Sequence, residues 1–290
     1  MKKMKVLFSS LLTVAVLLFF AQPGIAKSNL SFGLKLGGGL NYMLLTDYNN
    51  YVDDWNTYLE NEPDTFTGSF DNLHMGMNFG GEFILYFTPN IGIGIGAGFL
   101  SASVDQPQVE YSFSGWLSTW YKVNQEAKVS AIPVRLTFHY TTPVSNFMNF
   151  FFNAGVGYYL GSLEWTDDGS AWLFGAYSTS AEASMTTIGF HGGLGLEFKF
   201  SPAISFFIEV QGQYAKFSEV TGDYTNTNIF GTTAEERTLY HYVWAPDNTT
   251  ELVWATAPPS GTNYTDVREA AIDLTGAYFG GGFVFRFGGK

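Results

Sequence analysis

Residues 185–214 read as two arms of strictly alternating character joined at Ser201-Pro202. In the first arm Ile188, Phe190, Leu194, Leu196, Phe198 and Phe200 share one set of alternate positions, and Gly189, His191, Gly193, Gly195, Glu197 and Lys199 the other. In the second arm Ile204, Phe206, Ile208 and Val210 alternate with Ser205, Glu209, Gln211 and Gln213. Successive side chains of a strand point to opposite faces, so a period of two predicts a β-hairpin. The character of the two faces narrows the fold further. A continuous aromatic and aliphatic face suits lipid, while glycine and charge suit a narrow polar interior. In lipid an open sheet edge leaves backbone groups unpaired, so such a wall must close into a barrel.

The same alternation recurs along the chain. Strands are expected at residues 31–45, 75–87, 91–104, 128–141, 149–165, 185–200, 204–214 and 273–287. Residues 91–99 are the most regular, with Ile91, Ile93, Ile95, Ala97 and Phe99 against Gly92, Gly94, Gly96 and Gly98. Pro133 falls within the fourth strand, where a bulge or local break is expected. Short connections at Pro89, Pro143 and Pro202 alternate with long ones at residues 46–74, 105–127, 166–184 and 218–272. This predicts an all-β fold, an eight-stranded antiparallel up-and-down transmembrane β-barrel with short periplasmic turns and long external loops. Within those loops, residues 110–113 are expected to pair with 120–123, and 240–244 with 252–254 through a turn at Pro246-Asp247-Asn248.

The N-terminus supplies the route to a membrane. Lys2, Lys3 and Lys5 precede an apolar run over residues 6–20, and Gly24-Ile25-Ala26 offers small residues for signal peptidase. Residues 1–26 are therefore read as a cleaved signal peptide and 27–290 as one barrel domain. Removing three lysines and no acid takes the net charge from −12 to −15. An acidic balance of this size argues against nucleic acid as a partner. Charged residues make up only 14% of the chain, against about 25% in soluble domains. With 18% aromatics and 33 glycines, the low charge fits lipid-facing bulk outside and small residues inside. There is no cysteine, which excludes disulfides and a lipid-anchored cysteine.

Together the leader, the eight alternating strands, the proline turns and a final strand carrying Phe283, Phe285 and Phe287 resemble the small outer-membrane barrel superfamily typified by OmpA, OmpX and OmpW. The resemblance covers residues 31–287. It implies an outer-membrane location in a Gram-negative-type envelope, contact with outer-membrane lipids and lipopolysaccharide, a monomeric state, and recognition of the last strand by the barrel-assembly machinery.

Two groups of residues are candidates for function. Lys35, Glu82, Arg135, Glu197, Lys199, Glu209 and Arg286 all fall on the small-residue face and are expected to form a lumen charge network. An eight-strand interior is only wide enough for side chains to fill, and lone buried ions are costly, so these charges should pair. The second group is aromatic. Trp55, Trp116, Trp120, Trp172, Trp244 and Trp254 lie in the long connections or at strand ends beside them, as candidate contacts for an extracellular partner. The four histidines show no defensible partnership with serine and acid, and no EF-hand-like spacing occurs, so no catalytic residue, cofactor or metal is predicted. The leading expectation is a barrel with a closed or very narrow lumen that presents acidic, aromatic loops for adhesion, surface interaction or an envelope-structural role. The alternative is an OmpW-like transporter of small hydrophobic molecules, with a pocket above Gly96 and Gly193. A lipid A-modifying enzyme is a minor alternative.

Overall fold

The computed structural model describes residues 30–61, 65–113, 119–171 and 175–288. The residues read as a signal peptide, together with Trp116 and Trp172, lie outside them. Eight strands form a closed ring: β1 (Ser31–Met43), β3 (Met75–Tyr86), β4 (Ile91–Asp105), β6 (Thr119–Pro143), β7 (Met148–Ala171), β8 (Gly175–Lys199), β9 (Ile204–Tyr214) and β16 (Gly276–Phe287). Each pairs antiparallel with its neighbour in chain order, and β16 returns to pair with β1. Cα partners traced once around the ring run from Phe32 through Leu85, Ile93, Phe138, Ala154, Gly192, Gly212 and Ala277 to Tyr42, a stagger of ten residues (42 − 32). Stagger of this kind tilts the strands and closes the wall on itself.

Two of the three short turns are held by their own side chains. Thr88 Oγ1 accepts from the backbone N–H groups of Asn90 and Ile91, and Ser201 Oγ accepts from those of Ala203 and Ile204. Pro133 produces no bulge. The register of β6 with β4 is the same on either side of it (Ala97 with Val134, Leu100 with Ala131), but the intervening rungs are missing, so the expected irregularity is a local break.

The long connections differ from expectation, since much of their length is regular structure. Residues 46–61 form helix α1 (Thr46–Asn61), and the remaining described elements are β2 (Thr65–Thr67), β5 (Val109–Phe113), β10 (Lys216–Phe217), β11 (Thr221–Asn228), β12 (Gly231–Trp244), β13 (Thr249–Ala255), β14 (Tyr264–Glu269) and β15 (Ile272–Asp273). Both hairpins foreseen in the loops are present: Tyr111 pairs with Tyr121, and His241 with Leu252. The third connection is largely strand, because β7 and β8 stay paired as far as Ala171 and Gly175. At 3.3 Å per residue a strand of 25 residues such as β8 is roughly 80 Å long, more than twice what a bilayer core requires.

Along β6, β7 and β8 the side-chain pattern inverts. On β7, Phe152, Val156 and Tyr158 point outward exposed while Asn153 is buried; further up, Glu164 is exposed while Leu163 and Trp165 are buried. On β6 the outward series changes from Phe138, Leu136 and Ile132 to Ser130 and Lys128, and the inward series from His139 and Thr137 to Ala131 and Val129. On β8 it changes from Leu194, Phe190 and Ile188 to Thr186, Ser184 and Glu182. One sheet is thus apolar outside and polar inside over its lower half, and polar outside and apolar inside over its upper half.

Candidate functional site

Two regions follow from that inversion: a polar lumen in the lower half and a cap with an apolar core in the upper half. In the lumen, Lys35 Nζ lies 2.6 Å from Glu209 Oε2, and the ammonium sits over the rings of Phe207 and Phe151 at 4.5 and 4.9 Å. Arg286 grips Glu197, with Nη2 2.7 Å from Oε2, and also donates to Ser205 Oγ. Glu82 Oε2 lies 3.0 Å from His139 Nε2, a partner outside the predicted charge set. Arg135 donates from Nη1 to Gln211 Oε1 at 3.2 Å and makes no ion pair among the described residues. Lys199 is half-buried at the lower end of β8, also without an ion pair among the described residues. Lys35, Glu82, Glu197, Glu209 and Arg286 face inward, Lys35 with Glu209 and Arg286 with Glu197 as direct pairs and Glu82 beside His139. Arg135 faces inward without an ion-pair partner among the described residues, and Lys199 stays at the end of the barrel because β8 finishes there.

The glycines of the inner face do not leave a hydrophobic pocket. A Cβ at Gly96 would stand 2.9 Å from Glu82 Cβ, and one at Gly193 3.0 Å from Glu209 Oε1 and Gln211 Cβ. Tyr278 lies over Gly280 and Phe207 over Gly37 in the same way. These glycines are floors on which polar and aromatic neighbours lie. A cavity of about 80 Å³ remains, lined by Lys35, Glu82, Arg135, His191, Glu209 and Gln211 among others.

Above the lumen the interior is closed by Met43, Leu100, Tyr159, Leu163, Met185, Phe217 and Leu274, all buried in one apolar cluster. Helix α1 seals its side. Tyr48, Tyr51, Val52, Trp55 and Leu59 recur at helical spacing and face that core, a 3.6-residue period that the acidic residues between them disguise. The helix is anchored at its first turn: Asp47 accepts from both Arg268 Nη atoms at 2.7 and 2.8 Å and from the Ala271 backbone N–H at 2.7 Å. Burial pushes the Asp47 carboxyl up, but Arg268 and the Ala271 N–H outweigh it and hold the group below its ordinary value. Asp54 accepts from the Thr250 N–H, tying the middle of the helix to β13.

The predicted loop aromatics divide between core and surface. Trp254 is 6% exposed and belongs to the core, as does Trp165. Trp55 packs on Tyr51 and Tyr58, and its indole N–H donates to Glu251 Oε2 at 3.3 Å. Burial raises the Glu251 carboxyl to about 7, Asp247 adding to the rise while the Trp55 N–H opposes it. Nearby, burial and then Asp168 raise Asp167 to about 6. Trp244 packs edge-on against Tyr264, and Trp120 is exposed beside Lys122. Of the described candidates, Trp120 alone keeps a largely open face.

A family model described as the outer membrane protein beta-barrel domain matches residues 12–235. No curated protein matches the sequence. Solved structures similar to this chain include the outer membrane protein OprG from Pseudomonas aeruginosa, 15% identical over 89% of this chain and 95% of that one, with a TM-score of 0.38. Ail, the attachment invasion locus protein of Yersinia pestis, is 12% identical over 90% and 99% of the two chains, with a TM-score of 0.31. A major outer membrane protein from Thermus thermophilus is 12% identical over 89% and 99%, with a TM-score of 0.38.

Proposed function

Because the chain belongs to the outer membrane protein beta-barrel domain family, we propose that its ring of eight strands is a sealed outer-membrane anchor and that the cap it raises outside the cell is the working surface. The observation that carries this reading is the apolar core stacked directly on the polar lumen. Ions or solutes entering from outside would have to cross closely packed side chains such as Leu100 and Leu274, neither of which is exposed at all. The cap offers acidic and aromatic surface for adhesion, for another extracellular partner or for an envelope-structural role. Lipid and lipopolysaccharide surround the apolar band, and the protein works as a monomer. Residues 1–26 direct export and are removed, residues 27–290 fold as one barrel domain, and the final strand is offered to the barrel-assembly machinery.

The OmpW-like reading is the weaker one. A cavity of about 80 Å³ with charged walls suits neither the size nor the polarity of a hydrophobic solute. An enzymatic role has no support from the histidines of the lumen, where His139 faces Glu82 and His191 Nε2 faces Thr137 Oγ1.

Planar-bilayer recording of the mature, refolded protein tests the proposal. A silent membrane containing correctly folded barrels supports a sealed anchor. Discrete openings that small solutes block would replace it with the transporter reading.

A further inference from the structure

The β11–β12 hairpin ends in a two-residue turn, since Asn228 pairs with Gly231 and only Ile229 and Phe230 lie between them. Turns this tight are ordinarily built from asparagine, aspartate and glycine. Here Gly231 takes the positive φ, at 131°, and Asn228 Oδ1 accepts from the Phe230 N–H at 2.9 Å. Neither central residue therefore needs a large side chain for the turn to form. Both have one. Ile229 is 61% exposed and Phe230 89%, the most exposed large apolar side chain among the described residues.

The sheet holds this hairpin upright. β11 pairs with β8 from Gly222 opposite Ala183 to Thr227 opposite Ser178. Ile229 reaches Gly175, where a Cβ would stand 2.6 Å from its Cγ2. The hydroxyls of Thr227 and Thr232 meet across the hairpin at 3.1 Å, and Asn226 Nδ2 donates to Thr179 Oγ1 at 3.1 Å. Ile188, the last large apolar residue of the outward series on β8, lies 13 residues below Gly175 (188 − 175), about 43 Å of strand. With strands tilted by about 40° that is roughly 30 Å of height, so the tip stands clear of the bilayer that holds the barrel. Trp120, half-exposed, stands at the same end, because Tyr121 pairs with Ala171 and Ala171 with Gly175.

Charge is absent near the tip. Residues Tyr224 to Ala234 carry none, and neither do Gly175 to Ala181 on β8; threonine, serine and asparagine predominate instead. Acids begin in a row further down, with Glu236 opposite Asp223 and Asp223 opposite Glu182. All three are exposed, on strands about 5 Å apart. The end of the cap is thus apolar at its apex, neutral and hydrogen-bonding beneath, and acidic below that. A protein partner would have to supply a pocket for such a convex apex. A lipid surface needs none, because apolar groups sink about 5–10 Å into the boundary between headgroups and acyl chains.

We infer that the β11–β12 tip is a lipid-docking point, at which Ile229 and Phe230 enter the outer leaflet of a facing, electrically neutral phospholipid bilayer. The threonine and asparagine collar then rests among the headgroups. The bilayer is neutral because the carboxylate row repels an anionic one. One tip brings only two side chains, so lasting attachment comes from many copies across one contact. The inference rests on the reading of the cap as an external working surface and names a partner for it.

The chain has no cysteine, so a single introduced one carries a dye to a chosen height. Mature protein refolded in lipid nanodiscs, with an environment-sensitive dye at Thr232→Cys or at Glu236→Cys, is mixed with phosphatidylcholine vesicles. The dye at Thr232→Cys should brighten and shift to the blue, and the dye at Glu236→Cys should not. Adding Ile229→Ser and Phe230→Ser should weaken vesicle binding at least about tenfold. At about 10 mM salt, where charge is felt over about 30 Å, phosphatidylglycerol vesicles should leave the dye unchanged. An unchanged Thr232→Cys dye with phosphatidylcholine overturns the proposal. So does a change that needs no vesicles and grows with protein concentration, which marks tip-to-tip pairing, or a change that survives both serine substitutions. A membrane-impermeant maleimide on intact cells separates this inference from the reading beneath it. Thr232→Cys left unreacted there overturns the external cap as well, whereas reaction there with a silent dye overturns lipid docking alone. The gel shift of folded barrels checks each variant, and the dye result with Ile229 and Phe230 intact stands even if the serine variants fail to fold.

Discussion

Lys35 on β1 and Glu209 on β9 lie 2.6 Å apart, although their strands are not paired with each other and flank β16. Glu197 on β8 and Arg286 on β16 reach over β9 in the same way, and Glu82 on β3 meets His139 on β6 over β4. Each contact therefore laces strands one removed around the ring, adding cross-links that the backbone ladders do not provide. An interior of eight strands is narrow enough for such side chains to fill.

Removing one member of a lace should cost more than removing both. Glu209 is 4% exposed, so Lys35→Met leaves a buried carboxylate without its cation, a loss of about 3–5 kcal/mol. The double variant with Glu209→Gln should recover part of that loss. Urea unfolding of the refolded protein in lipid vesicles, followed by the gel shift of folded barrels, measures both.

The inversion on β6 gives a membrane boundary that can be located by charge scanning. Leu136 points outward in the apolar band and is 53% exposed, whereas Ser130 points outward above the switch. Leu136→Arg should destabilise the inserted barrel by up to about 2–4 kcal/mol, the larger figure applying at the bilayer midplane. Ser130→Arg should be close to neutral. Equal effects at the two positions would show that the band does not end between them.

The helix should loosen without the barrel when its first-turn anchor is cut. Asp47→Ala removes both contacts to Arg268 and leaves the Ala271 N–H without an acceptor. At about 1.5–3 kcal/mol for hydrogen bonds to a charged group, the change is enough to free α1 locally. Hydrogen exchange over residues 46–61 should quicken while the ring strands keep their protection.

Acid should tighten the cap. Folded Glu251 titrates near 7 and Asp167 near 6, both well above the roughly 4 of unfolded carboxyls. Between those values the folded state binds more protons than the unfolded one, so stability falls as pH rises. The contribution is complete below about pH 4 and lost as pH climbs through 6 and 7. Protection of β13 amides, taken relative to the intrinsic exchange rate at each pH, should be greater at about pH 5 than at about pH 8, on either side of that window. Glu251→Gln should remove much of that difference while leaving the share due to Asp167.

The alternation from Ile91 to Phe99 was sufficient to assign strand, inward and outward faces, and the polarity of each, because a period of two is a local property of extended chain. Proline and serine marked the short turns for the same reason. The local hairpins of the cap were legible as well, including the turn at Asn248, whose φ of 61° an asparagine tolerates. What stayed hidden was weakly patterned or non-local. Residues 176–184 carry serine, threonine, alanine and glutamate in place of a strong apolar face, so their place in β8 rests on pairing with β7 and β11. Five apolar residues at helical spacing mark α1, but seven acids over residues 46–74 give that stretch the look of a solvated loop. Its burial depends on the core that β6, β7 and β8 raise beside it. That the charges point inward follows from alternation alone. Which carboxylate meets which cation depended on ring closure with a ten-residue stagger, which sets Lys35 beside Glu209 and leaves Arg135 on Gln211 and Glu82 on His139. Nothing local in the chain carries that stagger, because it is a property of all eight strands together.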